Sequence, residues 1–234
     1  MLEVLSPAGS SDALIAAVQN GADAVYLGYG AFNARMNAKN FTEEQLRQAL
    51  RYCHVRGVKV YLTLNTLVRD RELKAAGQVV LEARRAGVDA VLVQDLGVLQ
   101  LVRQMAPDMP IHASTQMSVH NLEGVRKAAE LGISRVVLAR ELSRDQIAAI
   151  CRESPIELEV FVHGALCMCH SGQCYMSAMI GRRSGNRGQC AQPCRMTYGF
   201  DRNENRYPLS LKDNCLVGYL QELERMGVAC VKIE

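Results

Sequence analysis

Short apolar runs rich in β-branched residues recur along the chain and alternate with segments of helical periodicity. Most of these runs begin 20 to 34 residues apart, and we predict eight strands from them, at 3–5, 24–27, 58–62, 90–93, 111–113, 135–138, 158–162 and 230–233. Because the runs are almost continuously apolar, they are typical of a parallel sheet that is buried on both faces.

Apolar residues at three- and four-residue spacing lie between these runs and predict seven helices. The helices are 12–19, 46–55, 72–86, 97–105, 122–131, 143–151 and 215–226. Thr42 and Gln45 have the spacing of a capping box before the second of them. Five helices end at a glycine directly before the next strand, at Gly21, Gly57, Gly87, Gly132 and Gly227. Glycine readily takes the left-handed conformation that reverses the chain at a helix end.

Eight strands alternating with helices indicate an α/β fold that closes into a (β/α)8 barrel of the TIM type. An open doubly wound sheet is the alternative, but no glycine-rich dinucleotide fingerprint follows the first strand. The 234 residues suit a single barrel domain, 1–234. The eighth strand pattern runs to Glu234, so we expect a closing helix to follow in a longer protein.

The regular spacing of the strands is interrupted once, after the seventh. The seventh and eighth strands begin 72 residues apart, and the additional length forms an insertion at 163–209. Seven of the nine cysteines lie between Cys167 and Cys230. Loops that follow the strands of a (β/α)8 barrel carry its active site, so we expect the insertion on the functional face.

Composition sets the chemical context of these cysteines. Hydrophobic residues make up 49% of the chain and charged residues 22%, which is typical of a globular protein. The first residues lack the basic and apolar regions of a signal peptide, and no stretch has the roughly 18 apolar residues of a membrane span. We therefore expect a cytoplasmic protein, in which clustered cysteines are more often metal ligands or catalysts than disulfides.

Four cysteines are the candidate metal ligands. Cys167 and Cys174 lie on the loop after the seventh strand, Cys190 follows, and Cys215 is predicted at the start of the last helix. Four thiolates suit an iron–sulfur cluster or a structural zinc, and a helix N-terminus favours thiolates. The gap of six residues between Cys167 and Cys174 does not match the short knuckles of zinc sites. Free thiols are a third alternative, and Cys194 is a substitute for the fourth ligand.

Polar side chains near predicted strand ends are further candidates, because barrel geometry directs such groups toward the mouth. We select four of them as catalytic candidates, Glu159, His163, Arg140 and Gln116, and two as substrate-binding candidates, Asn65 and Gln94. The alternative is that several of these groups only hydrogen-bond the backbone of loops. We expect His54 and His120 on solvated surfaces.

The insertion also carries a basic patch without an acidic residue between 181 and 195. Its arginines are Arg182, Arg183, Arg187 and Arg195, and we assign the first three to substrate binding. Three interpretations stay open: contacts with RNA phosphates, bidentate binding of a small dicarboxylate, or a solvated loop. No aromatic residue interleaves these arginines, which argues against stacking of single-stranded RNA on this loop alone.

A long motif spans the seventh strand and the insertion. It reads Glu159-x-Phe161-x-x-Gly164-Ala165-Leu166-Cys167-x4-Gly172-x-Cys174-x-Met176-Ser177. This motif resembles the signature of the collagenase-like peptidases of unknown catalytic type, the U thirty-two family. Segments 6–9, 186–195, 212–213 and 231–234 match the same family, so the resemblance covers essentially the whole chain.

The family name implies proteolysis of protein substrates, whereas better-understood relatives imply a different chemistry. Those relatives hydroxylate a tRNA uridine, an rRNA cytidine or the ubiquinone ring without oxygen, with a 4Fe–4S cluster and prephenate as co-substrate. By this resemblance the cluster ligands are Cys167, Cys174 and Cys190, with Cys215 as the fourth. A related partner subunit is also expected.

We therefore predict iron–sulfur-dependent hydroxylation of an RNA base or a small aromatic acceptor. A collagenase-like peptidase and a non-catalytic binding subunit are the alternatives. A peptidase would need a nucleophile such as Cys169 or Cys174 activated by His163 or His170, because the chain has no H-E-x-x-H and no G-x-S-x-G motif.

Overall fold

The computed structural model describes residues 1–34, 40–199 and 206–234. Its strands are β1 (Glu3–Pro7), β2 (Ala24–Gly28), β3 (Lys59–Leu64), β4 (Ala90–Val93), β5 (Ile111–Ala113), β6 (Arg135–Val137), β7 (Glu157–Gly164), β8 (Asn214–Cys215) and β9 (Cys230–Ile233). Its α-helices are α1 (Ser11–Gln19), α2 (Glu43–His54), α3 (Asp70–Ala86), α4 (Leu96–Met105), α5 (Leu122–Glu130), α6 (Arg144–Glu153), α7 (Met176–Gly181) and α8 (Leu220–Met226).

Eight parallel strands close into a barrel. The ring runs from β1 through β7 in chain order and then through β9, which pairs with both β7 and β1. The closure of the ring confirms the predicted (β/α)8 architecture, and each of the eight predicted strands is present. Because all the ring strands are parallel, their carboxyl ends and the loops that follow meet at one mouth.

The predicted helix termini are also present. Gly21, Gly57, Gly87, Gly132 and Gly227 all have positive φ, between 72° and 96°. At the start of α2, Thr42 accepts a hydrogen bond from the backbone N–H of Gln45, whose side chain accepts one from Thr42 N at 2.9 Å. Both signals act within a few residues along the chain, which is why the sequence alone reveals them.

The predicted helix at 215–226 is wrong in its first part. Cys215 lies in β8, which pairs antiparallel with the end of β7 outside the ring, and α8 begins only at Leu220. The strand β7 extends as far as Gly164 and offers unpaired backbone groups, which β8 satisfies by placing Cys215 opposite His163. A helix N-terminus therefore does not lie at Cys215.

The apolar core has two parts. The larger one fills the space between the ring and its helices, with Leu46, Val60 and Leu138 among its members. The smaller one lies inside the barrel and includes Leu5, Tyr61, Leu92, Val137 and Cys230. Of the helices within the described ranges, none is long and apolar enough to cross a membrane.

Candidate functional site

Three polar side chains line one side of the barrel mouth. Asn65 follows β3, accepts a hydrogen bond from Ala34 N at 2.9 Å and donates one to Ser114 Oγ at 3.1 Å. Gln94 follows β4, and its buried Oε1 has no hydrogen-bond partner in the described part of the chain. An unpaired buried acceptor is costly. Of the two predicted substrate-binding residues, Asn65 and Gln94, it is therefore Gln94 that can better accept a hydrogen bond from a substrate.

Arg140 follows β6 and connects three segments of the mouth. Its Nη2 lies 2.9 Å from Glu234 Oε2, and its Nη1 lies 3.3 Å from Ala165 O and 3.6 Å from Cys167 Sγ. The guanidinium carbon is 4.2 Å from the centre of the Phe161 ring. These contacts hold a positive charge beside a cysteine that the sequence assigns to metal binding.

The pKa of the Cys167 thiol is set by these surroundings. Burial raises its pKa, the nearby thiols Cys190 and Cys194 and the carboxylate of Glu234 act in the same direction, and Arg140 opposes them. These mutual effects arise only between groups that lie close together. The fold therefore brings Cys167, Cys190 and Cys194 into one neighbourhood.

The other cysteines of the insertion lie around the same loops. Burial raises the pKa of Cys169, and the neighbouring thiol of Cys174 acts in the same direction. Cys190 Sγ accepts a hydrogen bond from Gln192 N at 3.4 Å. Cys215 lies on β8, opposite His163. All nine cysteines are free thiols. The assignment of four of them to a cluster stays a prediction, as does the choice between Cys215 and Cys194.

The insertion makes a close contact with the barrel mouth at a glycine. A Cβ atom at Gly172 would lie 2.3 Å from Gln116 O, and Gly172 has a φ of +75°. Only glycine fits there, so the loop carrying His170 and Cys174 contacts the turn that holds Gln116. Asn186 also donates a hydrogen bond to Gly172 O at 3.0 Å.

Glu159 lies inside the barrel instead of at its mouth. It is fully buried, and its Oε1 lies 2.9 Å from Lys232 Nζ. Its Oε2 is 3.6 Å from Arg135 Nη1. The side chain of His163, by contrast, is exposed at the end of β7. The catalytic roles assigned to Glu159 and His163 stay predictions.

The four arginines of the basic patch have different surroundings. Arg187 binds Glu72 through two hydrogen bonds of 2.7 and 3.0 Å and also donates to Leu67 O at 2.8 Å. Arg195 donates to Ser210 Oγ at 2.9 Å and to the backbone oxygens of Leu211 and Leu166. Arg182 and Arg183 are exposed. The first pair therefore anchors the insertion, and the second pair faces solvent.

The loops after β5 and β6 also meet the insertion at three residues that the sequence did not group together, although Glu141 was a predicted strand-end group and His170 a candidate base. Within the described ranges, the one group of three or more potential metal ligands with atoms within 4.8 Å of one another is His120, Glu141 and His170. The half-buried His120 was expected on a solvated surface. The predicted strand order could have revealed this group, because β5 and β6 are neighbours in the ring and the loops that follow them open at the same mouth.

Comparison with known proteins identifies the family. The model of peptidase family U32 matches residues 9–234. A 23S rRNA 5-hydroxycytidine synthase of Escherichia coli is 40% identical over 239 residues, which cover 100% of this chain and 36% of that protein. A collagenase of Porphyromonas gingivalis is 36% identical, with 99% and 60% covered. The tRNA hydroxylation protein P1 of Bacillus subtilis is 33% identical, with 99% and 58% covered.

A solved structure supports the same fold. The U32 peptidase Mk0906 superposes with a TM-score of 0.68 at 16% identity, covering 100% of this chain and 92% of the other. At that identity the similarity concerns the fold alone. The chain spans between 36% and 60% of the length of the three curated relatives named above. On the match of the family model to almost its entire length, this chain belongs to peptidase family U32.

Proposed function

We propose that this chain is the barrel of an iron–sulfur-dependent enzyme that hydroxylates a base of tRNA or rRNA without molecular oxygen. Relatives named for rRNA and tRNA hydroxylation, at 40% and 33% identity, support the reaction. The observation that carries the proposal is the contact of Arg140 with Cys167 at the mouth, with Cys190 and Cys194 close by.

The donor set at the mouth fits a 4Fe–4S cluster in its chemistry. The cysteines are free thiols, and N–H groups already point at two of the sulfurs, from Arg140 to Cys167 at 3.6 Å and from Gln192 to Cys190 at 3.4 Å. Hydrogen bonds to cysteine sulfurs tune such clusters. Cys167, Cys174 and Cys190 would hold the cluster, with Cys215 or Cys194 as the fourth ligand. When bound, a cluster of this kind supplies one-electron chemistry.

Protein groups around the mouth would bind the RNA. The amide of Gln94, with its unpaired Oε1, is suited to the edge of an unstacked base, and Asn65 and Gln116 lie on neighbouring loops. Arg182 and Arg183 are exposed, so both can contact phosphates, and the Nε of Arg183 also donates a hydrogen bond to Gln189 O at 3.2 Å.

Exposed aromatic side chains also lie on the insertion and shortly after it, although not between the arginines of the basic patch. Tyr175, Tyr207 and Tyr219 are 62%, 59% and 54% exposed, so they can stack on bases. Prephenate as co-substrate and a related partner subunit belong to the same proposal and rest on the family resemblance. The cytoplasmic location expected from the sequence belongs to it as well. A small aromatic acceptor in place of RNA is an outcome that the test below distinguishes.

The first test is chemical analysis of the full-length protein after anaerobic purification. We expect about four irons and four acid-labile sulfides per chain. Cys167→Ala and Cys190→Ala should lose them. Cys151→Ala is the matched control, because this thiol lies on α6, outside the insertion. A well-folded protein without iron would overturn the cluster.

The second test is mass spectrometry of tRNA and rRNA nucleosides from cells that lack the gene. The wild-type gene should restore a hydroxylated nucleoside, and the Cys167→Ala gene should not. Hydrolysis of gelatin by iron-free protein, abolished by Cys174→Ser, would instead favour a peptidase.

A further inference from the structure

Three side chains from three separate loops converge beside the mouth. His120 follows β5, Glu141 follows β6, and His170 belongs to the insertion. The Nε2 of His120 lies 2.6 Å from Glu141 Oε1, and the Nδ1 of His170 lies 3.2 Å from the same oxygen. The two imidazole rings meet edge to face with their centres 5.7 Å apart.

We propose that His120, Glu141 and His170 bind a divalent transition-metal ion at a site separate from the cysteine cluster. Two imidazoles and one carboxylate form the protein ligand set of many catalytic zinc sites and of mononuclear ferrous sites. All three ligand atoms lie within 4.8 Å of one another. Ligands about 2.1 Å from a tetrahedral ion lie about 3.4 Å apart, so the two atoms now 2.6 Å apart must separate slightly and the most distant pair must approach by at most about 1.4 Å.

Surrounding groups already orient two of the three ligands. The Nδ1 of His120 lies 2.7 Å from Ser118 O, which leaves Nε2 directed at the site. Glu141 accepts hydrogen bonds at 2.9 Å from the backbone N–H of Ser171 and at 2.9 Å from its hydroxyl. Metal-binding histidines and carboxylates are typically held by partners of this kind.

The arrangement goes beyond an ordinary surface ion pair. A single histidine would suffice to pair with Glu141, whereas here a second imidazole approaches the same oxygen from another loop. The side chain of His170 is 75% exposed and that of Glu141 is 28% exposed, so coordination positions toward solvent stay available. An ion at this site could polarise a water molecule or a substrate oxygen at the mouth.

The mixed nitrogen and oxygen donors determine the class of ion. Zinc and ferrous ions accept imidazole and carboxylate together, while magnesium and calcium prefer oxygen ligands throughout. The cysteines assigned to the cluster contribute no ligand to this set. The site can therefore be tested whether or not the cluster is present.

The test is a Co2+ titration of the full-length protein, reduced and stripped with a chelator, followed by visible spectroscopy. We expect an ion whose spectrum lacks thiolate-to-cobalt charge transfer, bound in the wild type beside any ion held by the stripped cysteines and retained in Cys167→Ala. His170→Ala should weaken binding about tenfold or more. His54→Ala is the matched control, because His54 is another exposed histidine paired with a carboxylate, at 2.9 Å from Asp89.

A thermal melt with Zn2+ provides a second measurement. In the Cys167→Ala background, where the cysteine set is incomplete, the ion should raise the Tm of the parent and of His54→Ala, and should leave that of His170→Ala and Glu141→Gln unchanged. Binding that is insensitive to both substitutions, or that in its entirety shows thiolate charge transfer and disappears in Cys167→Ala, would overturn the proposal. An affinity weaker than about 1 mM would overturn it as well.

Discussion

The Nη1 of Arg140 lies 3.6 Å from the sulfur of Cys167. The two residues are separated by the whole of α6 and β7, and the closure of the ring brings the loop after β6 next to the loop after β7. The side chain of Arg140 is 13% exposed, and its guanidinium also pairs with Glu234. A fixed positive charge beside a sulfur influences any cluster that this sulfur holds.

Arg140→Gln should therefore shift the reduction potential of the proposed cluster to more negative values. Reduction adds negative charge, and the substitution removes a positive charge that stabilises it. At 3.6 Å we expect a shift on the order of tens of millivolts. Protein film voltammetry measures the shift. Arg144→Gln, an exposed arginine on α6 that pairs with Glu222, serves as the control. Equal reduction potentials in the wild type, Arg140→Gln and Arg144→Gln would show that Arg140 does not influence the cluster.

Glu159→Gln should lower the free energy of unfolding by about 3–5 kcal/mol, because it leaves Lys232 buried without its counter-charge. Glu157→Gln removes a carboxylate that is 56% exposed and pairs with Arg135, so it should cost less than about 1 kcal/mol. Urea denaturation of both variants measures the difference. A small loss of stability in Glu159→Gln, together with a complete loss of hydroxylation, would instead support the catalytic role predicted for Glu159.

His112 makes stability depend on pH. Burial, together with Arg135 and Lys232, lowers its pKa from 6.5 to about 3. The unfolded chain binds this proton below pH 6.5 and the folded chain does not, so stability is highest above pH 6.5 and falls as the pH drops toward 3. Between pH 7 and pH 5 the loss should be about 2 kcal/mol.

His112→Gln should flatten this dependence in urea denaturation curves recorded at the two pH values. Val137→Ala is the control, because it disturbs the same interior without removing a titrating group. It should lower stability by a similar amount at both pH values. An unchanged pH dependence in His112→Gln would show that other groups cause the loss.

Arg182 and Arg187 should differ in their effects on RNA binding. Arg182→Gln removes an exposed charge, so the slope of log K against log salt concentration should fall by about 0.7–0.9. Arg187→Gln should leave the slope unchanged, since its guanidinium is bound to Glu72. Filter binding at several salt concentrations measures both slopes.

Arg187→Gln should instead release the insertion from α3. The insertion should then be cleaved faster by a protease of broad specificity, while Arg182→Gln should be cleaved at the wild-type rate. Arg187→Lys should also be cleaved faster, because lysine keeps the charge but cannot form the two hydrogen bonds to Glu72. Equal cleavage rates in all variants would contradict the anchoring role.

Local patterns in the sequence predicted most of the fold. The apolar runs identified every strand of the ring, and the five glycines marked the helix ends that the structure shows. The position of the insertion followed from the strand spacing. These features depend on the intrinsic conformational preferences of residues and on neighbours within one or two turns, so no tertiary information is needed to find them.

The tertiary structure alone decided which side chains meet. Glu159 pairs with Lys232 across 73 residues, and Arg187 pairs with Glu72 across 115. Cys215 lies in a strand because the edge of β7 is available to it, and His120 meets His170 because their loops open at one mouth. The sequence by itself determined the barrel and the face that carries the cysteines, through periodicity. The partners of each charged side chain follow from ring closure, which joins positions that no local pattern relates.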